Sequence, residues 1–284
     1  MEKSLQISSP VGLVAGGGVL PFAVADSLIA RGIVPVVFAL KGVCDPDSAA
    51  RFRHHWISIG QFGRLCRLLH DEGCRQLAFI GTLVRPTLSE IRMDLGALRV
   101  LPRILSAFRG GDDHLLSGMG RLFEREGFQM VGIRDLAPDL LMPEGKLARI
   151  APDADAEADI VKGRRLLAAL SPFDIGQAAV VIDGHVVAVE DIEGTDALLA
   201  RVARLRTEER IRARVGRGVL VKAPKETQDL RFDLPATGLR TVEGVAKAGL
   251  AGMATVAGQT IAADLQEMIA AADRAGLFIV GSPP

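Results

Sequence analysis

Short apolar runs alternating with stretches of helical spacing govern what this chain folds into. Val11–Ala15, Val34–Leu40, His55–Ile59 and Gln76–Ile80 have the length and the branched or aromatic content of buried strands. Between them, Leu20–Ala30 and Phe62–His70 repeat apolar residues at helical intervals. Helical spacing returns at Met93–Phe108 and Leu115–Arg125, and Gln129–Ile133 reads as a further strand. Strands and helices in that order build a parallel sheet with crossover helices. In the second half the pattern predicts a helix over Ala154–Leu170 and a hairpin over Ala178–Val189. The hairpin turns at Asp183–Gly184, a pair that favours a type I′ turn between β-branched runs. A helix over Asp196–Arg206, strands at Val219 and Met253–Ala257, a helix near Ala262–Ala275 and a strand at Phe278–Val280 complete the reading. The expected fold class is α/β, with a Rossmann-like N-terminal domain (1–145), a second α/β domain (146–284) and a cleft between them. The boundary is expected at the end of the turn-rich Pro138–Gly145 interval.

Charge narrows the function classes. The 284 residues carry 34 basic and 34 acidic side chains, so the basic excess of a nucleic-acid binder is missing and no nucleic-acid partner is expected. Charges interrupt every apolar run before it reaches a bilayer-spanning length. The opening residues lack the apolar core and cleavage pattern of a signal peptide, so a cytosolic protein is expected, with attachment to a membrane surface left open. Cys44, Cys66 and Cys74 are irregularly spaced and indicate neither a disulfide framework nor a zinc site. A neutral chain of this composition also permits a homodimer.

The candidate chemistry gathers between Gly218 and Gly238. Val219, Leu220 and Val221 form an apolar strand that gives way to Lys222, Lys225, Gln228, Asp229, Arg231 and Asp233. In an extended chain Asp229, Arg231 and Asp233 share one face, and Pro235 biases Leu234 away from helix. Paired carboxylates call for a neutralising cation, either a metal ion or a lysine. Gly16, Gly17 and Gly18, after the first strand, form a natural phosphate contact. They are a poor dinucleotide fingerprint, because Pro21 takes the third glycine position and Lys41 stands where an acidic ribose ligand belongs. Gly110–His114 reads as a cap for the helix beginning at Leu115, with a metal-binding pair Asp112 and Asp113 ranked second. Thr195 is an expected N-cap and Asp196 suits a helix dipole. Glu190, Asp191 and Glu193 add negative charge at a strand end, where α/β domains bind ligands.

Leu13–Pro21, Gly111–Asp113, Asp174–Ala178, Val189–Asp196, Lys222–Lys225 and Gln228–Asp233, taken together, resemble the LpxI-type UDP-2,3-diacylglucosamine pyrophosphatases of Gram-negative bacteria. The resemblance runs from about Val11 to the C-terminus. It implies hydrolysis of UDP-2,3-diacylglucosamine to 2,3-diacylglucosamine 1-phosphate (lipid X) and UMP in lipid A synthesis, with Mg²⁺ dependence and water attack at the β-phosphorus. For such a reaction Asp229 and Asp233 are the candidate metal ligands, and Lys222 and Lys225 the phosphate-stabilising cations. Gln177, Glu193, Thr195, Asp196, Gln228 and Arg231, with Gly16–Gly18, are the substrate-binding candidates. A soluble protein working peripherally at the cytoplasmic face of the inner membrane is then expected. The basic and apolar Leu98–Leu105 is a candidate lipid contact, although a half-buried helix explains it as well. The competing readings are a Rossmann-type NAD(P)-dependent oxidoreductase and a non-catalytic nucleotide-lipid carrier.

Overall fold

A computed structural model describes residues 5–82, 93–107, 112–226 and 229–284; within these, the side chains of 103–107 and 112–115 are not described. The chain divides into two compact units. One comprises the residues up to Asp139 together with Asp229–Asp233, the other Leu140–Gln228 and Leu234–Pro284.

The first unit runs β1 (Val11–Ala15), α1 (Leu20–Ala30), β2 (Pro35–Leu40), α2 (Pro46–Ala49), β3 (His54–Ile57), α3 (Phe62–Asp71), β4 (Gln76–Ile80), α4 (Leu95–Ala107), α5 (Asp112–Arg125), β5 (Gln129–Met130) and α6 (Ile133–Leu136). Its sheet has the order β3-β2-β1-β4-β5, with every pairing parallel. That is the Rossmann order, and it reverses direction between β1 and β4. The central strands β1 and β2 are buried along their whole length, as in parallel sheets covered on both faces. Helix α3 buries Phe62, Leu65, Cys66 and Leu69, a stripe at i, i+3, i+4 and i+7.

One aspartate organises two of these helices. The Asp94 carboxylate accepts from the backbone N–H of Ala97 at 2.8 Å, at the start of α4. It also accepts from Gly63 at 3.2 Å and Arg64 at 2.8 Å, at the start of α3. The two helix starts meet closely, since a Cβ on Gly96 would lie 2.5 Å from the Gly63 Cα. Among the described side chains of α4, Leu98 is half exposed while Ala97 and Val100 are buried, as in a half-buried helix.

The second unit runs β6 (Gly145–Lys146), α7 (Ala154–Leu170), β7 (Ala178–Ile182), β8 (His185–Val189), α8 (Gly194–Thr207), β9 (Val219–Lys222), β10 (Ala236–Thr237), α9 (Leu239–Lys247), β11 (Gly252–Val256), β12 (Ile261–Ala262), α10 (Leu265–Ala275) and β13 (Phe278–Ser282). Its main sheet has the order β6-β13-β11-β9-β7-β8. The pairs of β11 with β13 and β9 are parallel, and those of β7 with β9 and β8 antiparallel. Alternation along β9 feeds two cores. Leu220 packs with residues of α8, α9 and α10 on one face, while Val219 and Val221 pack with α7 on the other. Helix α7 comes close enough that a Cβ on Gly163 would fall 2.6 Å from Val221 Cγ2. The hairpin turn is as expected, with positive φ at both Asp183 and Gly184. Their N–H groups donate to the buried Asp159 carboxylate at 3.0 and 2.7 Å.

Candidate active site

In the second unit the functional residues collect at the C-terminal end of β9. Lys222, the last residue of that strand, is 7% exposed. Its ammonium donates to Thr195 Oγ1 at 2.9 Å and to the Ala236 carbonyl at 2.7 Å. Thr195 Oγ1 in turn donates to Glu190 Oε1 at 2.5 Å. Glu190 Oε2 accepts the Gln177 backbone N–H at 2.7 Å, and the Glu190 N–H donates to Ala178 at 2.8 Å. The neighbouring loop is pressed against the Glu190 backbone, because Gly176 has φ +47 and a Cβ there would collide with the Glu190 main-chain carbonyl.

Lys222 therefore links the first turn of α8 to β10, the strand that leads into α9. Neither helix start has a side-chain cap. The Lys222 ammonium and the two helix starts present hydrogen-bond donors at this strand end, beside the Glu190 carboxylate whose charge offsets that of the ammonium. Thr255 pairs with Lys222 across β9 and β11 and shares its sheet face. The hydroxyls of Thr255, Thr237 and Thr260 are buried without a hydrogen-bond partner among the described residues.

The other candidates in this unit have definite places. Lys225 is ion-paired with Asp174. Glu193 pairs with Arg201 at 2.6 Å, and Asp196 with Arg240. Thr195 does not cap α8, contrary to expectation. The helix begins two residues earlier, at Gly194 with Glu193 at the N-cap, and the Thr195 hydroxyl is committed between Lys222 and Glu190.

In the first unit, Asp229–Asp233 corrects a second expectation. The segment is not extended. The N–H groups of Phe232 and Asp233 both donate to the Asp229 carbonyl, at 2.9 and 3.3 Å, closing a helical turn. Pro235 lies beyond this turn, so its restriction on Leu234 does not prevent it. Asp229 and Asp233 are then one turn apart, the spacing that puts two residues on the same side. Arg231 binds Asp229 as a fork, Nε at 3.0 Å from Oδ1 and Nη2 at 2.8 Å from Oδ2, and reaches Glu124 through Nη1 at 2.8 Å. The guanidinium hydrogen bond, opposed by burial and helped by the Arg231 N–H and charge, holds the Asp229 carboxyl below the usual carboxylate range. The same pairing raises Arg231 above its ordinary value. Phe232 anchors the turn, stacked on Phe79 with ring centroids 6.0 Å apart and seated on Gly120, where a Cβ would collide with its ring.

The glycine run lies at the β1–β4 switch point, but part of its expected anion-binding capacity is used. Gly16 N–H donates to Ile80 O and Gly17 N–H to Thr82 O, both at 2.8 Å. A Cβ on Gly16 would stand 2.6 Å from the Thr82 carbonyl, so close approach of two strand ends accounts for that glycine. Gly18, with φ +86, is the residue that turns the chain into α1. Gln228 lies outside the described residues, as do Gly110 and Gly111; α5 begins at Asp112 rather than Leu115.

Among the described residues no group of three or more His, Cys, Asp or Glu stands ready to hold a metal ion. Mg²⁺ does not require one, since it commonly uses one or two carboxylates and leaves the remaining positions to water and phosphate. Asp229 and Asp233 fit that pattern as hard oxygen donors one turn apart. The Arg231 backbone N–H and guanidinium already make four contacts with the two Asp229 oxygens, about the lone-pair capacity of a carboxylate, so an ion bound there takes the place of part of the Arg231 pairing.

Residues 10–140 match the LpxI N-terminal domain and residues 143–280 the LpxI C-terminal domain. The chain belongs to the LpxI family. A protein of Caulobacter vibrioides named UDP-2,3-diacylglucosamine pyrophosphatase LpxI is 42% identical to it over 274 residues, covering 96% of this chain and 98% of that one. The segments that carry the resemblance have definite locations. Asp174–Ala178, Val189–Asp196 and Lys222–Lys225 form the strand-end network of the second unit, and Asp229–Asp233 forms the anchored turn of the first. In the sequence Glu190, the buried acid at the centre of the network, is one of several charges near a strand end. Its position directly after β8 and five residues before Thr195 was the available signal.

Proposed function

We propose that this protein hydrolyses the pyrophosphate of UDP-2,3-diacylglucosamine, giving lipid X and UMP, as a step of lipid A synthesis. The observation that carries this reading is the near-full-length similarity to the Caulobacter protein, which extends over both units. Cleavage of a diphosphate accumulates negative charge on nonbridging and leaving oxygens, so it is favoured by fixed positive groups in a sheltered place. Lys222 and Lys225 are the proposed cations, each acting as a point charge on phosphate oxygen. Asp229 and Asp233 are the proposed holders of Mg²⁺. When bound, the ion supplies further charge neutralisation to the diphosphate. Arg231 keeps Asp229 ionised and oriented. Gln177 and the first turn of α8, with Glu193 and Asp196, are proposed to border the sugar diphosphate, and the Gly18 turn to border the nucleotide. Water is proposed to attack the β-phosphorus.

No helix among the described residues is long and apolar enough to cross a membrane. For a diacylated substrate we propose peripheral action at the cytoplasmic face of the inner membrane. Hydrolysis in ¹⁸O-water with Mg²⁺ tests the whole reading. Label in lipid X is expected, while label in UMP would refute attack at the β-phosphorus. Release of no UMP under any divalent ion would refute the activity.

A further inference from the structure

Glu190 has no part in the chemistry above, yet the Lys222 network is built on it. We propose that Glu190, acting through the Thr195 hydroxyl, is the positioning residue that fixes the Lys222 ammonium for the diphosphate. This rests on the reading of Lys222 as the phosphate-facing cation. It reassigns Thr195 from substrate ligand to relay.

The direction of the chain is forced by chemistry. An ammonium only donates and an ionised carboxylate only accepts. The hydroxyl between them must accept from Lys222 at 2.9 Å and give its single proton to Glu190 at 2.5 Å. Both links are charge-assisted, and both lie in a water-poor setting where Glu190 is 8% exposed and Lys222 7%. The carboxylate cannot swing away. Its second oxygen takes the Gln177 N–H, and the Glu190 backbone that carries it is fixed by its N–H to the Ala178 carbonyl and by Gly176 packed on its main-chain carbonyl. Lys222 is fenced on the other side by the Ala236 carbonyl, with β7 and β11 flanking its backbone. A long flexible side chain is thereby set in one geometry before substrate arrives, the arrangement in which a fixed charge is most effective on a developing one.

Steady-state kinetics on four single variants and one double variant test this. Thr195→Val keeps the side-chain shape and removes the hydroxyl, and should lower kcat roughly 10- to 100-fold with KM changed less than about twofold. Thr195→Ser restores the hydroxyl and should recover most of that loss, which a purely packing role for the threonine would not give. Glu190→Gln should lower kcat in the same way. The double variant Glu190→Gln with Thr195→Val should be no worse than the poorer single, because the two residues act in series. Should Glu190→Gln fail to fold, the Val and Ser pair at 195 decides alone. Wild-type kcat in Thr195→Val together with an inactive Lys222→Met overturns the relay and leaves the Lys222 assignment standing. An active Lys222→Met overturns the assignment itself. A loss in Thr195→Val expressed as raised KM makes Thr195 a substrate ligand and refutes the inference.

Discussion

Asp229 and Arg231 show how little a polar motif means until its partners are known. Read in the sequence, the two aspartates and the arginine between them left open whether the arginine served substrate or acids. In the folded chain Arg231 forks onto Asp229 and also takes Glu124. The depressed carboxyl of Asp229 has a defined linkage to pH. Its stabilising contribution is complete above the unfolded value of about 4 and is lost as pH falls through the lower folded value. The stability gap between wild type and Asp229→Asn is therefore expected to shrink on acidification below about pH 4, as read by urea unfolding at successive pH values. A gap that widens in acid would contradict the pairing. On activity, Asp229→Asn and Asp233→Asn are expected to cut turnover by at least roughly 100-fold, and isothermal titration with Mg²⁺ should show weakened binding in both. The buried thiols carry a separate expectation. Burial, with nearby acids, pushes Cys66 up to about 12, and burial with Glu72 pushes Cys74 to about 11. Neither should react with iodoacetamide at neutral pH until the chain is unfolded.

At the scale of elements, legibility followed the range of the interactions that make each one. Helix α7 and the Asp183–Gly184 hairpin depend on local pattern, and both were readable in full. The Gln129–Ile133 pattern predicts one strand, but β5 covers Gln129 and Met130 with one further bond from the Val131 N–H to Leu77, and after Gly132 the chain turns into α6. Helix α9 was not read at all. It is short, it opens at Gly238 between the Pro235 stretch and polar residues, and its buried Val242 and Val245 gain meaning only from the sheet they cover. Glu190 was obscure for the same reason, because the lysine it serves is reached through Thr195, 27 residues from Lys222. Asp94 is the element-level feature with the clearest energetic consequence. It caps α4 and binds the first N–H groups of α3, and these hydrogen bonds outweigh burial to keep its carboxyl below the ordinary range. Asp94→Ala leaves both starts unsatisfied and is expected to cost about 2 kcal/mol or more, seen as a lower urea midpoint with an unchanged slope.

The whole molecule is organised around one discontinuity. Chain order would assign Asp229–Asp233 to the second unit, in which its neighbours on both sides lie, yet these residues pack as part of the first. Phe232 is the reason. Its ring stacks on Phe79, fills the space left by Gly120 and joins the aromatic core that contains Phe62, Phe123 and Phe128. A motif whose aspartates and arginine attract attention is thus held in place by its phenylalanine. A fragment ending at residue 140 would expose the surface this ring covers. Such a fragment is expected to melt below the first transition of the intact chain, and a peptide spanning residues 226–236 should raise its midpoint in a concentration-dependent way. The same peptide carrying Phe232→Ala should have no effect. In the intact protein Phe232→Ala is expected to cost about 2 kcal/mol for a half-buried ring. It should also lower turnover by at least roughly 10-fold, because the turn that orients Asp229 loses its anchor. Equal stabilisation of the fragment by both peptides would transfer the anchoring to Arg231 and its bond with Glu124.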